Sequence, residues 1–145
     1  MKLLLQRVQS ASVVVDTITV GAIAQGILVM VGFEPTDTHD TLQKALHKLL
    51  RLRLFADAQG RMNLDVSAAK GGLLLVSQFT LAADTSKGQR PGFSSAAPPE
   101  QAAELYAQWV KMVSAQHPVV ASGRFGANMQ VHLVNDGPVT FWLEF

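Results

Sequence analysis

The stretch DTHDTLQKALHKLLRLRLF, residues 37–55, is where the chain changes period. Its apolar residues Leu42, Ala45, Leu46, Leu49 and Leu52 recur three and four apart, which places them on one face of an α-helix. Thr36, Asp37 or Thr38 can cap its start, so an amphipathic helix is expected. Upstream the pattern differs. Segments 3–8, 12–15, 18–23 and 26–31 are short, rich in β-branched residues and bounded by polar or glycine punctuation. Four strands with such brief connections are expected to pair antiparallel.

Downstream, DAQGRMNLDVSAAKGG (57–72) carries turn residues at both ends and reads as a loop or hairpin. Residues 73–79 form a near-continuous apolar run, the mark of a strand covered on both faces. Segment 83–99 holds Asp, Ser, Gly and three Pro and is a long connection. Pro98 and Pro99 then open a second helix with the stripe Ala102, Leu105, Tyr106, Trp109, Met112 and Val113, stopped by His117-Pro118. Strands are expected over 119–125, 129–134 and 139–145, with Asn135-Asp136-Gly137 as the tight turn between the last two. The fold expected is α+β: mostly antiparallel sheets forming a barrel-like core, with two amphipathic helices packed on it, in a single domain over residues 1–145.

The chain is 48% apolar and only 16% charged, enough core-forming material to argue against disorder. A net charge of +1 leaves no broad basic stripe for nucleic acid or a membrane surface. With no cysteine, disulfides, thiolate metal sites and a Cys nucleophile are excluded. In MKLLLQRVQSASVVV, Gln6 and Arg7 interrupt the apolar run, so the segment reads as a strand and not as a signal peptide. No stretch reaches the roughly 20 apolar residues of a membrane span, and a cytoplasmic protein without a membrane partner is expected.

SQFTL, residues 77–81, raises the question of a hydroxyl nucleophile, because Ser77 and Thr80 follow the apolar run directly. A Ser or Thr hydroxyl is inert near neutral pH without an oriented base. His39, His47, His117 and His132 are the candidates, and none sits in a catalytic motif; nor does G-x-S-x-G surround any serine. There is no H-E-x-x-H and no D-x-D-x-D cluster, so neither a metal nor another cofactor is expected. Gly71-Gly72 precede a strand and do not open a helix, which rules out a P-loop there. In DTSKGQRPGF, Lys87 and Arg90 flank a glycine turn, where they either meet a phosphate backbone or stay solvated. The residues alone leave open an esterase using Ser77 or Thr80, or a binding module.

SQFTL and NDGPVT (135–140) resemble the paired signatures of the D-aminoacyl-tRNA deacylases. LLQRVQSASVVV, RLFADAQGRMNLDV, SQFTLAADTSKGQRPGF and GRFGANMQVHLVNDGPVTFWLEF are similar to the same family, so the resemblance spans essentially the whole chain. It implies the family's deacylase-like fold and a hydrolase that cleaves the ester between a D-amino acid, or glycine, and the 3′-terminal adenosine of tRNA. It further implies a homodimer in which Gly137-Pro138, joined by a cis bond, enters the partner's site and excludes L-amino acids. Activation of water by the terminal 2′-hydroxyl, with protein backbone groups stabilising charge, is implied too. Ser77, Gln78, Phe79 and Thr80 would line the substrate pocket, Thr80 without acting as a nucleophile, and Arg7 would brace the Gly-Pro motif. tRNA is then the partner and DNA is not expected. The alternatives are a non-enzymatic tRNA-binding dimer and a Ser/Thr esterase.

Overall fold

β1, Lys2–Val15, is the strand around which the rest is arranged in the computed structural model, which describes residues 1–145. One edge of β1 pairs antiparallel with β2 (Ile18–Ile23) at its far half and with β3 (Gly26–Gly32) at its near half. Its other edge runs antiparallel to β8, Gln130–Glu144, for nearly its whole length. β3 continues into β6 (Gly72–Ser77) and β6 into β7 (Val120–Ser122), both in parallel. Antiparallel pairings thus predominate, with a parallel segment where β6 is buried on both faces. β4 (Phe55–Ala56) and β5 (Met62–Leu64) form a small separate ribbon, the hairpin expected after the first helix.

Residues 3–8 and 12–15 are one strand, not two. The exposed pair Gln9 and Ser10 between them is no turn; the pairing with β8 slips between Gln6 and Val8 and again between Val8 and Ser10. A slip changes the parity of the faces. Leu3 and Leu5 therefore face the larger core with the helices, while Val8, Ala11, Val13 and Val15 enter a second core on the other side of the sheet. β3 and β6 serve both cores by alternation, with Ile27, Val29, Leu73 and Leu75 in one, and Leu28, Leu74 and Val76 in the other.

α1, His39–Arg51, buries Leu42, Ala45, Leu46 and Leu49. Of the three candidate caps Thr38 is used, in a reciprocal capping box with Thr41. Asp37 is instead buried, with its carboxylate 2.7 Å from the α-amino group of Met1. α2, Pro99–Gln116, begins with Pro99 in its first turn and buries Ala102, Leu105, Tyr106, Trp109 and Val113. It stops at His117, whose amide still donates to the Val113 carbonyl. No helix is long and apolar enough to cross a membrane.

The last two expected strands are likewise one, since both halves of β8 pair with β1 in the same direction and the chain never reverses at NDGP. The strand expected over 119–125 contracts to its middle, Val120–Ser122, because Arg124 to Ala127 turn away through Gly126 at φ +74°. The sheet is nearly closed, for β2 approaches β7 at Gly21: a Cβ there would lie 2.5 Å from the Ser122 carbonyl oxygen. Gly21→Ala must therefore push β2 and β7 apart. The expected cost is about 1–3 kcal/mol, as for other overpacked sites, read as a lower urea midpoint with an unchanged m-value.

Candidate active site

The apolar β6 delivers SQFT to the surface. Ser77 is its last residue, and the Gln78 amide still donates to the Val31 carbonyl (2.7 Å) before the chain turns into a single 3-10 turn, Phe79–Ala82. The amides of Phe79 and Thr80 head that turn, where N–H groups have no acceptor within the helix. Two neighbouring donors on a rigid support are thereby left for something outside the chain. Thr80 is exposed, and its Oγ1 accepts a hydrogen bond from Gln78 Nε2 at 2.5 Å. An amide NH₂ cannot take a proton from a hydroxyl, so this contact positions Thr80 without activating it.

No histidine is hydrogen-bonded to either hydroxyl. His117 is buried with Nε2 2.8 Å from the Gly71 carbonyl oxygen. His39 contacts Gln43, and His132 stands on the outward face of β8. No three His, Asp or Glu side chains gather as metal ligands would.

Beside SQF lies a cleft of ≈ 450 Å³. Ser77, Gln78 and Phe79 form one wall, Ala97 and Pro99 at the entry to α2 another, and Phe125 with Met129 a third. These other walls were not singled out from the sequence. The signal available was the glycine-flanked aromatic in GRFG, which leaves a ring exposed on a tight loop. Phe125 packs on Tyr106 with ring centroids 5.8 Å apart, and the Tyr106 hydroxyl donates to the Leu75 carbonyl at 2.9 Å, tying this wall to β6. A larger depression of ≈ 680 Å³, along Ser10, Ser12, Ala22 and His132, is a more open trough on the sheet surface. It contains no residue of either signature, so the smaller cleft is the better candidate.

NDGP is a bulge within β8, and the Gly137-Pro138 peptide bond is cis. Asn135 closes the bulge: its Oδ1 accepts from the Val139 amide at 2.7 Å, and its Nδ2 donates to Thr140 Oγ1 at 3.1 Å. Arg7, on the adjoining stretch of β1, donates from Nε to the Asp136 carbonyl (2.9 Å), and the same atom lies 3.1 Å from Asp136 Oδ2. A second guanidinium nitrogen donates to the Leu54 carbonyl at 2.6 Å. Gly137 and Pro138 project to solvent. Gly137 has φ +153°, and a Cβ there would lie 2.6 Å from the Val139 nitrogen.

The two signatures are far apart within one chain. Register carries Ser77 across Val31 and Leu3 to Leu143, whereas Gly137-Pro138 lies beside Arg7, level with Ile27 and Leu73. Three inter-strand spacings and four residues along a strand separate them, roughly 20 Å in all. SQFT and Gly137-Pro138 of the same chain cannot touch one small substrate group.

The D-Tyr-tRNA(Tyr) deacylase family model matches residues 4–144. Proteins named D-aminoacyl-tRNA deacylase from Ectopseudomonas mendocina (strain ymp) and Pseudomonas syringae pv. tomato are 61% and 62% identical to this chain over 144 residues, covering 99% of each chain. The protein of that name from Teredinibacter turnerae is 57% identical over the same length. Among solved structures, the c-Myc DNA Unwinding Element Binding Protein superposes with a TM-score of 0.96 at 40% identity, covering 100% of this chain and 99% of that one. A probable eukaryotic D-amino acid tRNA deacylase shares the fold, with a TM-score of 0.84 at 18% identity over 98% of this chain and 97% of that one.

Tyr106 is the only tyrosine, so its titration can be followed alone. Burial raises its pKa to about 12 against the smaller opposing effect of hydrogen bonds from Ser122 and Gly123. The folded value exceeds the ordinary 10.0, so the stability that Tyr106 contributes is complete below pH 10.0 and is lost as pH rises through about 12. Absorbance near 295 nm should show no ionisation at pH 10.5 in the folded protein; a midpoint near 10.0 there would mean that the wall is open to water.

Proposed function

Because the chain belongs to the D-Tyr-tRNA(Tyr) deacylase family, we propose that it hydrolyses the ester joining a D-amino acid, or glycine, to the 3′-terminal adenosine of tRNA, as a single cytoplasmic domain over residues 1–145. The observation that carries this reading is identity of about 60% over the full length to proteins named for that activity. The site supports it in its own terms. Hydrolysis of an activated ester needs a positioned water and donors for the developing oxyanion, and the leading amides of the 3-10 turn at Phe79 and Thr80 are suited to be those donors. Ser77, Gln78 and Phe79 line a cleft with the apolar side chains of Phe125 and Met129, a surface suited to a nucleoside.

Water adds to the ester carbonyl, and its proton passes toward the 2′-hydroxyl of the terminal ribose. Collapse of the tetrahedral intermediate breaks the bond to the 3′-oxygen, which leaves protonated, and releases the free amino acid. No side chain has to titrate. This fits the lack of any base hydrogen-bonded to Ser77 or Thr80.

Selection against L-amino acids is assigned to Gly137 and Pro138 of a second copy. Roughly 20 Å within one chain is too far for a shared site, and symmetric pairing of two copies is the ordinary way to supply a missing wall. β8 has the surface for it: Val134, Phe141, Trp142 and Phe145 are all exposed large hydrophobics on or beside one strand. Arg7 would hold the Gly-Pro bulge in place through Asp136. A wedge that occupies the L side-chain position excludes that isomer, and it admits glycine because glycine has nothing to exclude.

A second reading, nucleic-acid binding without hydrolysis, is favoured by the name of the c-Myc DNA Unwinding Element Binding Protein. Purified protein is expected to deacylate D-aminoacyl-tRNA and glycyl-tRNA and to spare L-aminoacyl-tRNA. Binding without cleavage would establish the second reading instead. Thr80→Ala should stay within about tenfold of wild type, whereas a lost nucleophile costs about 10⁶. A tRNA ending in 2′-deoxyadenosine should be cleaved about 10²–10⁴ more slowly, the usual worth of acid–base assistance; equal rates would remove the 2′-hydroxyl from the mechanism.

Gly137→Ala forces its Cβ against the Val139 nitrogen, so the bulge must shift. Displacement of about 1 Å can cost about 100-fold in rate. The preference for D over L esters should fall by that order, alongside a modest loss of thermal stability from the strained backbone at residue 137. A variant that keeps its full D-to-L ratio would clear Gly137 of any selective role.

A further inference from the structure

Between the 3-10 turn and α2 the chain makes a small hairpin whose ends are locked by two hydrogen bonds, Asp84 N–H to the Gly92 carbonyl and Gly92 N–H to the Asp84 carbonyl, each 2.8 Å. Its tip turns at Gly88, with φ +68° and open space around it. Lys87 and Arg90 flank that tip, are exposed, and form no ion pair in the structure. The hairpin's own carboxylate, Asp84, is occupied locally, accepting the Ser86 amide at 2.9 Å. It shapes the loop and leaves both cations unneutralised.

The hairpin is attached to the cleft by an aromatic contact. Phe93, just past its closing pair, meets Phe79 with ring centroids 5.0 Å apart at 58°. Phe79 is a wall of the cleft, yet 56% of it is exposed, and Phe93 is 45% exposed. Two accessible rings with two free cations a few residues away is the combination that holds single-stranded nucleic acid, with bases on rings and phosphates on cations. Double-stranded RNA would need no such rings.

We propose that Lys87, Arg90 and Phe93 form a second subsite, which takes the single-stranded RNA segment immediately 5′ of the nucleotide in the cleft. Lys87 and Arg90 bind its phosphates and Phe93 stacks a base. This subsite rests on the deacylase reading of the cleft, and it locates substrate affinity on a loop, apart from the chemistry at Phe79 and Thr80. It also accounts for RNA recognition by a protein of net charge +1, since two local cations suffice when only the 3′ end is held.

The test compares D-aminoacyl-tRNA with 3′-O-(D-aminoacyl)adenosine, which has no phosphates, across a potassium chloride series. Wild type, the Lys87→Ala/Arg90→Ala double variant and Phe93→Ala are assayed, with direct binding of uncharged tRNA measured in parallel. For the double variant the ratio of kcat/KM on tRNA to that on the short ester should fall, through KM. Its slope against log salt should be shallower by about 1.4, two phosphates at ~0.7 each. Phe93→Ala should lower the same ratio with the wild-type salt slope. An unchanged slope in the double variant, or equal losses on both substrates, overturns the subsite. Should wild type hydrolyse neither ester, the deacylase reading fails; the binding arm then still decides the subsite, which stands if the double variant shows the shallower slope and falls if it does not.

Discussion

Everything in this fold depends on β1 being paired along both edges and carrying one extra residue, Gln9, in its middle. An unslipped strand of 14 residues would point one set of side chains at one core from end to end. The slip at Gln9 lets Leu3 and Leu5 pack under the helices and Ala11, Val13 and Val15 pack on the opposite side. A chain of this size can thereby bury two clusters against one sheet. A second slip in the same pairing, between Gln6 and Val8, falls on β8, where the unpaired length becomes the Asn135–Val139 bulge. Fold and site are set by neighbouring slips in one strand pair: the slip at Gln9 divides the core, and the one between Gln6 and Val8 lifts Gly137 and Pro138 out of the ladder.

Much of this was legible in the chain, and the failures have a common physical origin. The helices were readable because their apolar stripes are long and their ends are marked, by Thr38 at one and by Pro99 and His117-Pro118 at the other. β6 was readable because burial on both faces leaves an uninterrupted apolar run. Gln9-Ser10 and Asn135-Asp136-Gly137 were misread as breaks because a bulge and a turn draw on the same residues. What tells them apart is whether the chain reverses afterwards, and that is decided by the partner strand. For the site, SQFT could be found as a polar cluster ending an apolar strand. Phe125 and Met129 could not be joined to it, since β7 and the loop after it reach the cleft only through parallel pairing with β6.

The division of labour that follows is unusual for a hydrolase and consistent with the residues present. A nucleophile-and-base enzyme needs two side chains held against each other, and this chain offers no such pair at Ser77 or Thr80. Backbone amides need only a rigid support. β6, buried on both faces and continuous with β3 through the Gln78 amide, is among the stiffest supports the fold can provide. Charge stabilisation can then be built in at no cost in reorganisation. In the proposed division, the exposed parts, the hairpin at Lys87 and the bulge at Gly137, would decide what is held and what is refused.

If Gly137 and Pro138 are the refusing element, as proposed, their place on an edge strand, roughly 20 Å from the amides of their own chain, has a consequence for concentration. A wedge within the same chain would be present in every folded molecule, whereas one supplied by a partner exists only in the assembled pair. Dilution below the dissociation constant would then remove the proposed wall against L-amino acids while leaving SQFT and its cleft folded, because the cleft is built from residues of one chain. A lone protomer would therefore be less selective as well as less active. In the proposed pair, the exposed apolar side chains at Val134, Phe141 and Trp142 are what would stand against that outcome, since burying them between two copies would hold the pair together.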